Sequence, residues 1–187
     1  MIGPLKLNRT VRLFVAGLAI VGMIGWSNVS AQDVAVGSAT ATVLAALTVT
    51  ATQALAFGNV YQGIAKSIAN NSADAAIFTI AGSVNSGVSL YMELPAYLAL
   101  ADGSDRMVIS FSTADAIVDT TGGGDPTGFV GADGYNNVNP YNLPATANLS
   151  DAGAANVYLG GKVIPTVDQK AGAYHGDIVL TVSYNGT

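Results

Sequence analysis

Polar and apolar positions along this chain alternate with a period of two, and no window longer than a few residues sustains the three-to-four spacing of an amphipathic helix. In residues 34–44 the alternation puts Val34, Val36, Ser38, Thr40, Thr42 and Leu44 on one face and Ala35, Gly37, Ala39, Ala41 and Val43 on the other. The Thr, Val and Ile content suits a pleated surface, where branched side chains pack against their neighbours. The pattern predicts strands at 39–44, 47–50, 55–60, 75–81, 88–93, 107–112, 157–166 and 177–184. Turn-forming runs separate them: Asn70-Asn71-Ser72, Asn85-Ser86-Gly87, Asp102-Gly103-Ser104-Asp105 and the stretch from Gly172 to Gly176. About seven to eight short strands at this spacing predict an all-β, immunoglobulin-like antiparallel β-sandwich.

Residues 119–148 interrupt the rhythm with Gly122-Gly123-Gly124-Asp125-Pro126, Gly131-Ala132-Asp133-Gly134-Tyr135-Asn136-Asn137, Pro140 and Pro144. They read as one long Gly/Asn/Pro-rich loop, mobile and protease-sensitive, and such loops are often functional.

The N-terminus reads differently. Lys6, Arg9 and Arg12 precede an uncharged stretch from Leu13 to Trp26, and Val29-Ser30-Ala31 ends it with small or apolar residues at the −3 and −1 positions. An apolar run of ~14 residues is short of the ~20 that cross a bilayer, so residues 1–31 are expected to be an export signal cut after Ala31. Residues 32–187 then form a single domain with no membrane span, exported to the periplasm, cell surface or medium. The whole chain has 187 residues, 10% of them charged, and a formal charge of −5. After cleavage four basic residues face twelve acidic ones, a formal charge of −8. Nucleic acid is excluded as a partner, because neutralising phosphates needs clustered Lys and Arg. The absence of cysteine excludes disulfides and thiol nucleophiles.

Several short motifs recur in a telling order: Leu55-Ala56-Phe57-Gly58, Tyr158-Leu159-Gly160-Gly161, Gly172-Ala173-Tyr174-His175-Gly176 and Thr181-Val182-Ser183-Tyr184-Asn185. In this order the chain resembles a bacterial domain-of-unknown-function family, number 4402 in that series, whose members share a Gly-x-Tyr motif near the C-terminus. It is more distantly similar to the spore coat U-like subunits of chaperone–usher pili, which usually carry a disulfide that this chain lacks. The resemblance implies a secreted β-sandwich and no established reaction. The pilin likeness further implies self-association by strand addition, with residues 32–46 as the donated strand, and a periplasmic chaperone as a partner. From the residues themselves, the same segment could instead fold back as the first strand of its own sandwich. Physical roles can be assigned to the motif residues directly. Phe57 is expected in the core with Gly58 allowing close backbone approach or a bulge. Gly172 should supply a positive φ, and Tyr174 should cover one end of the sandwich with its hydroxyl on a loop carbonyl. Gly160, Gly161 and Gly176 complete the structural motif residues.

Little chemistry is available. His175 is the only histidine and Glu93 the only glutamate, so a paired acid and base cannot be assembled from them. No cofactor and no catalytic residue is expected. Asp102, Asp105, Asp125 and Asp133 lie in Gly/Asn-rich stretches, and calcium takes six to eight oxygen ligands, so they are weak calcium candidates. Solvated turn acids are the plainer reading. Two functional expectations follow: a non-catalytic structural subunit of a pilus-like or coat assembly, or a monomeric adhesin-like module binding glycan or protein through 119–148.

Overall fold

The computed structural model describes residue 35 and residues 37–186. The expected export signal, its cleavage site, Val34 and Val36 lie outside the described residues. The chain divides into two units, Met1–Ala41 and Thr42–Thr187. In the first, the described residues form no secondary structure and are exposed.

The second unit holds thirteen strands and two short 3-10 turns, with no α-helix among the described residues. In chain order the strands are β1 (Thr48–Gln53), β2 (Lys66–Ile68), β3 (Ala76–Ala81), β4 (Gly87–Glu93), β5 (Tyr97–Leu100), β6 (Arg106–Ser110) and β7 (Ala116–Asp119). After the 3-10 turns Pro126–Gly128 and Gly131–Asp133 come β8 (Gly134–Val138), β9 (Ala147–Asn148), β10 (Ala154–Leu159), β11 (Gly161–Ile164), β12 (Tyr174–His175) and β13 (Val179–Tyr184). They form sheets ordered β1-β3-β10-β7-β8, β12-β5-β6-β11-β2 and β13-β4-β9, with every pairing antiparallel. The second and third sheets join end to end: β13 pairs with β4, and β12 continues the same ladder along β5 past an interruption around Gly176.

Alternation explains the packing. Phe78, Ile80, Val118 and Val157 from the first sheet meet Met107, Ile109 and Val163 from the second and Val88, Leu90, Met92 and Leu180 from the third in one core. The protein is therefore an all-β antiparallel sandwich. The first sheet is covered on its other face too. Ile77, Tyr158 and Ile117 stand directly opposite one another on β3, β10 and β7, and Phe129, from the segment after β7, packs on them as a small second core. Strands buried on both faces lose their alternation and read as continuous apolar runs, which is why β7 left no period-two signal.

Several expectations are corrected. Residues 39–44 form no strand; Val43 is 94% exposed, because a segment of Ala, Ser and Thr offers little to bury. Ala45 is tied to the sandwich: its N–H donates to Ser83 Oγ (2.5 Å) and its carbonyl accepts from the Tyr184 hydroxyl (2.9 Å). Neither does 55–60 form a strand, although Phe57 is in the core as expected. Gly58 has φ +59° and open space where a side chain would go, with only Lys66 Nζ nearby, so its role is the turn and not a close approach. The expected strand 157–166 is two strands in two sheets. At Gly160 the chain leaves the first sheet for the second, and a Cβ there would lie 2.5 Å from the Ile68 carbonyl oxygen and 2.7 Å from Asn70 N. Residues 119–148 are not a loop without elements: they hold both 3-10 turns, β8 and β9.

Candidate functional site

A cleft of about 1050 Å³ opens in the side of the sandwich. Its walls include Phe78 from β3, Met107 and Ile109 from β6 and Val163 from β11, all members of the main core. These side chains are themselves buried and form the floor of the cleft. β1 and β12 both contribute to the lining, and each is the terminal strand of its sheet. Terminal strand edges beside an apolar cleft form a template for another strand.

Two of the sequence motifs meet at the cleft, and a third lies behind it. Phe57 and Gly58 line it, as do Gly172, Tyr174 and Gly176, while Gly161 packs against Phe111 and Leu55. The segment Gln169 to Gly176 forms part of the wall, and a hydrogen-bonded cluster holds it in place. Tyr174 donates its hydroxyl to Asp105 Oδ2 at 2.5 Å, and the tyrosine oxygen also lies 2.9 Å from the Lys170 carbonyl oxygen. Asp105 Oδ2 also accepts from Lys170 N (2.8 Å) and Gln169 Nε2 (2.7 Å), and Oδ1 accepts from Arg106 N (2.8 Å). Gln169 is buried and returns its Oε1 to Thr166 N at 3.2 Å. The Tyr174 hydroxyl and the Lys170 amide hold the Asp105 carboxyl at about 2, below its ordinary range. Burial and the neighbouring carboxylate push Tyr174 up. The expected bond to a loop carbonyl is present, and the carboxylate is its additional partner. Gly172 has φ +156°, a conformation that side-chain-bearing residues rarely adopt, and a Cβ there would displace Leu100 Cδ2 at 2.7 Å.

The calcium candidates do not converge. Asp102 accepts from Ser104 N (3.0 Å) in the β5–β6 turn, and that backbone bond lowers its pKa. Asp105 is engaged in the cluster above. Asp125 caps the first 3-10 turn, taking Thr127 Oγ1 (2.7 Å) and Thr127 N (2.9 Å), which lower its pKa. Asp133 lies in the second 3-10 turn. Among the described residues no three His, Asp or Glu come together as a cation site. His175 is exposed in β12 and Glu93 is exposed at the end of β4, on different strands.

Part of segment 119–148 packs on the first sheet, while more than half of its residues are exposed. Its Phe129 is turned onto the outer face of the first sheet, and β8 extends that sheet beside β7. Sequence reading missed this because β8, Gly-Tyr-Asn-Asn-Val, is polar. It missed the cleft as well, since an opening between two sheets leaves no local pattern.

These features define an open-sided β-sandwich with a motif-built cleft. The chain matches no protein-family model and no curated protein. Among solved structures it is similar to a family 123 glycoside hydrolase from Clostridium perfringens, described for glycolipid glycan hydrolysis, with a TM-score of 0.30 and 13% identity over 76% of this chain. The chain spans 25% of that enzyme's length, and a likeness this small transfers neither fold nor activity.

Proposed function

We propose that the protein is a non-catalytic structural subunit of a pilus-like or coat assembly, exported after loss of residues 1–31. In this reading the side cleft accepts residues 32–46 of another copy as an added strand, and a periplasmic chaperone covers the cleft beforehand. The observation that carries the reading is the pairing of a cleft floored by core residues between two terminal strands with the exposed, uncharged residues 37–44. Strand addition satisfies main-chain groups on an open edge and places alternate side chains in the cleft. Burying Leu44, with Val34 and Val36 on the same face of such a strand, would contribute ~1.5–3 kcal/mol each. The likeness to family 4402 and to spore coat U-like subunits points the same way.

Sedimentation of the protein beginning at Gln32 tests this. Concentration-dependent oligomers that a synthetic 32–46 peptide caps are the expected result. A protein that stays monomeric at high concentration and ignores the peptide would refute the reading.

A further inference from the structure

The solvent-facing side of the second sheet has a composition unlike the rest of this acidic chain. Tyr97, Val108 and Ile164 stand directly opposite one another on β5, β6 and β11, and all three are exposed (52%, 38% and 40%). They form an apolar row about 10 Å long across three strands. On one side of the row Arg106 projects from β6, and on the other Lys162 projects from β11, both exposed. Each is two residues, about 7 Å, along its strand from the row. His175 lies at the β12 margin on the Arg106 side, level with Ala99. The remaining positions of this face on β2, β5 and β6 are serine or alanine, so its strand positions hold no carboxylate. Two of the four basic residues downstream of Ala31 occupy these strand positions, and none of the acidic ones does.

We propose that this face binds an acidic polysaccharide, a chain bearing uronic-acid carboxylates. A half-exposed tyrosine ring with two aliphatic neighbours offers a flat apolar platform to the C–H face of a sugar. The guanidinium and ammonium groups on either side take carboxylates through charge-assisted hydrogen bonds. Charge complementarity selects the anionic sugar, because the chain's excess of carboxylates elsewhere repels a polyanion and leaves this face as its landing place. The footprint selects a glycan over a folded protein: one aromatic and two aliphatic side chains fall well short of the ~800 Å² per partner of a stable protein interface. Two cations are likewise too few for nucleic acid. This site is separate from the side cleft and does not depend on the assembly reading.

Affinity electrophoresis of the protein beginning at Gln32 tests it, with polygalacturonate, dextran sulfate or neutral dextran in the gel. Retardation by polygalacturonate and not by dextran is expected. Each of Tyr97→Ala, Arg106→Gln and Lys162→Gln should weaken it about three-fold, and the Arg106→Gln/Lys162→Gln pair about ten-fold. These side chains face solvent, so unchanged thermal melting verifies the fold of each variant. No retardation by polygalacturonate, equal retardation by dextran, or variants that bind like the parent would overturn the proposal. Dextran sulfate binding as tightly as polygalacturonate would overturn it too, since charge alone would then suffice. So would an Arg106→Glu/Lys162→Glu variant that changes sedimentation while the parent binds no glycan, which would assign the face to a second copy.

Discussion

Tyr158 and Asp119 meet on neighbouring strands, the tyrosine hydroxyl donating to Asp119 Oδ2 at 2.9 Å, with both residues buried. The same carboxylate gathers the chain that follows it: Oδ1 accepts from Thr121 N (2.8 Å) and Thr121 Oγ1 (2.6 Å), and Oδ2 from Gly123 N (3.2 Å). One acidic side chain thus ties the start of 119–148 to the sheet that Phe129 covers. Losing a hydrogen bond to a buried charge costs about 1.5–3 kcal/mol. Tyr158→Phe should be destabilised by an amount in that range, and Asp119→Ala by more, as measured by urea denaturation.

The pair also has a signature in alkali. Burial and the Asp119 carboxylate raise the Tyr158 pKa above its ordinary 10.0. A tyrosine whose folded pKa exceeds its unfolded one adds stability that is complete below the unfolded value and is lost as pH rises toward the folded one. The urea midpoint of the parent should therefore fall above pH ~10, and Tyr158→Phe should show a shallower fall. Parallel alkaline slopes in the two proteins would contradict this.

Asp105 gives the opposite sign. Its carboxyl is held at about 2 against an ordinary 3.8, so its contribution is present above the ordinary value and disappears as pH falls toward 2. Asp105→Asn should flatten the acid limb of stability, and Tyr174→Phe should flatten it in part, since the Lys170 and Gln169 bonds to the carboxylate survive. Urea midpoints collected from neutral pH down to the acid limb decide this.

Gly160→Ala should cost about 1–3 kcal/mol through overpacking, because the new Cβ meets the backbone of Ile68 and Asn70. Gly131→Ala, with open space around it, should stay within about 0.5 kcal/mol of the parent. Chemical denaturation of the two variants compares them directly.

Asn156 is buried with no hydrogen-bond partner for either side-chain atom among the described residues. Replacing an unsatisfied polar group by an apolar one of similar size is neutral or stabilising. Asn156→Val should leave the thermal midpoint unchanged or raise it.

Much of this architecture was readable from residue patterns, and the exceptions share causes. β4, β6 and β13 each have one wet and one dry face, so their alternation located them. β7 is dry on both sides and β8 is polar, and neither carries that period. Segment 39–44 has the period but not the bulk, and remains outside the sandwich. Gly172 and Tyr174 were readable as turn and cover because φ and ring size are local properties. Their partner Asp105 is distant in sequence, and only folding brings it to them. The row of Tyr97, Val108 and Ile164 was invisible for the same reason, since cross-strand neighbours depend on register.

The order of strands in the first sheet bears on when the protein can fold. Its central strand, β10, is made after all four of its sheet mates. A chain emerging from a ribosome or a translocation pore therefore presents β1–β3 and β7–β8 as two separate ribbons until residue 159 is out. Short ribbons of this kind are marginal alone, and their inner edges stay open through most of synthesis. Pairings this distant along the chain also form slowly. Folding is consequently a whole-molecule event that begins near the end of chain emergence, and fragments ending before Ala154 should not acquire the sandwich.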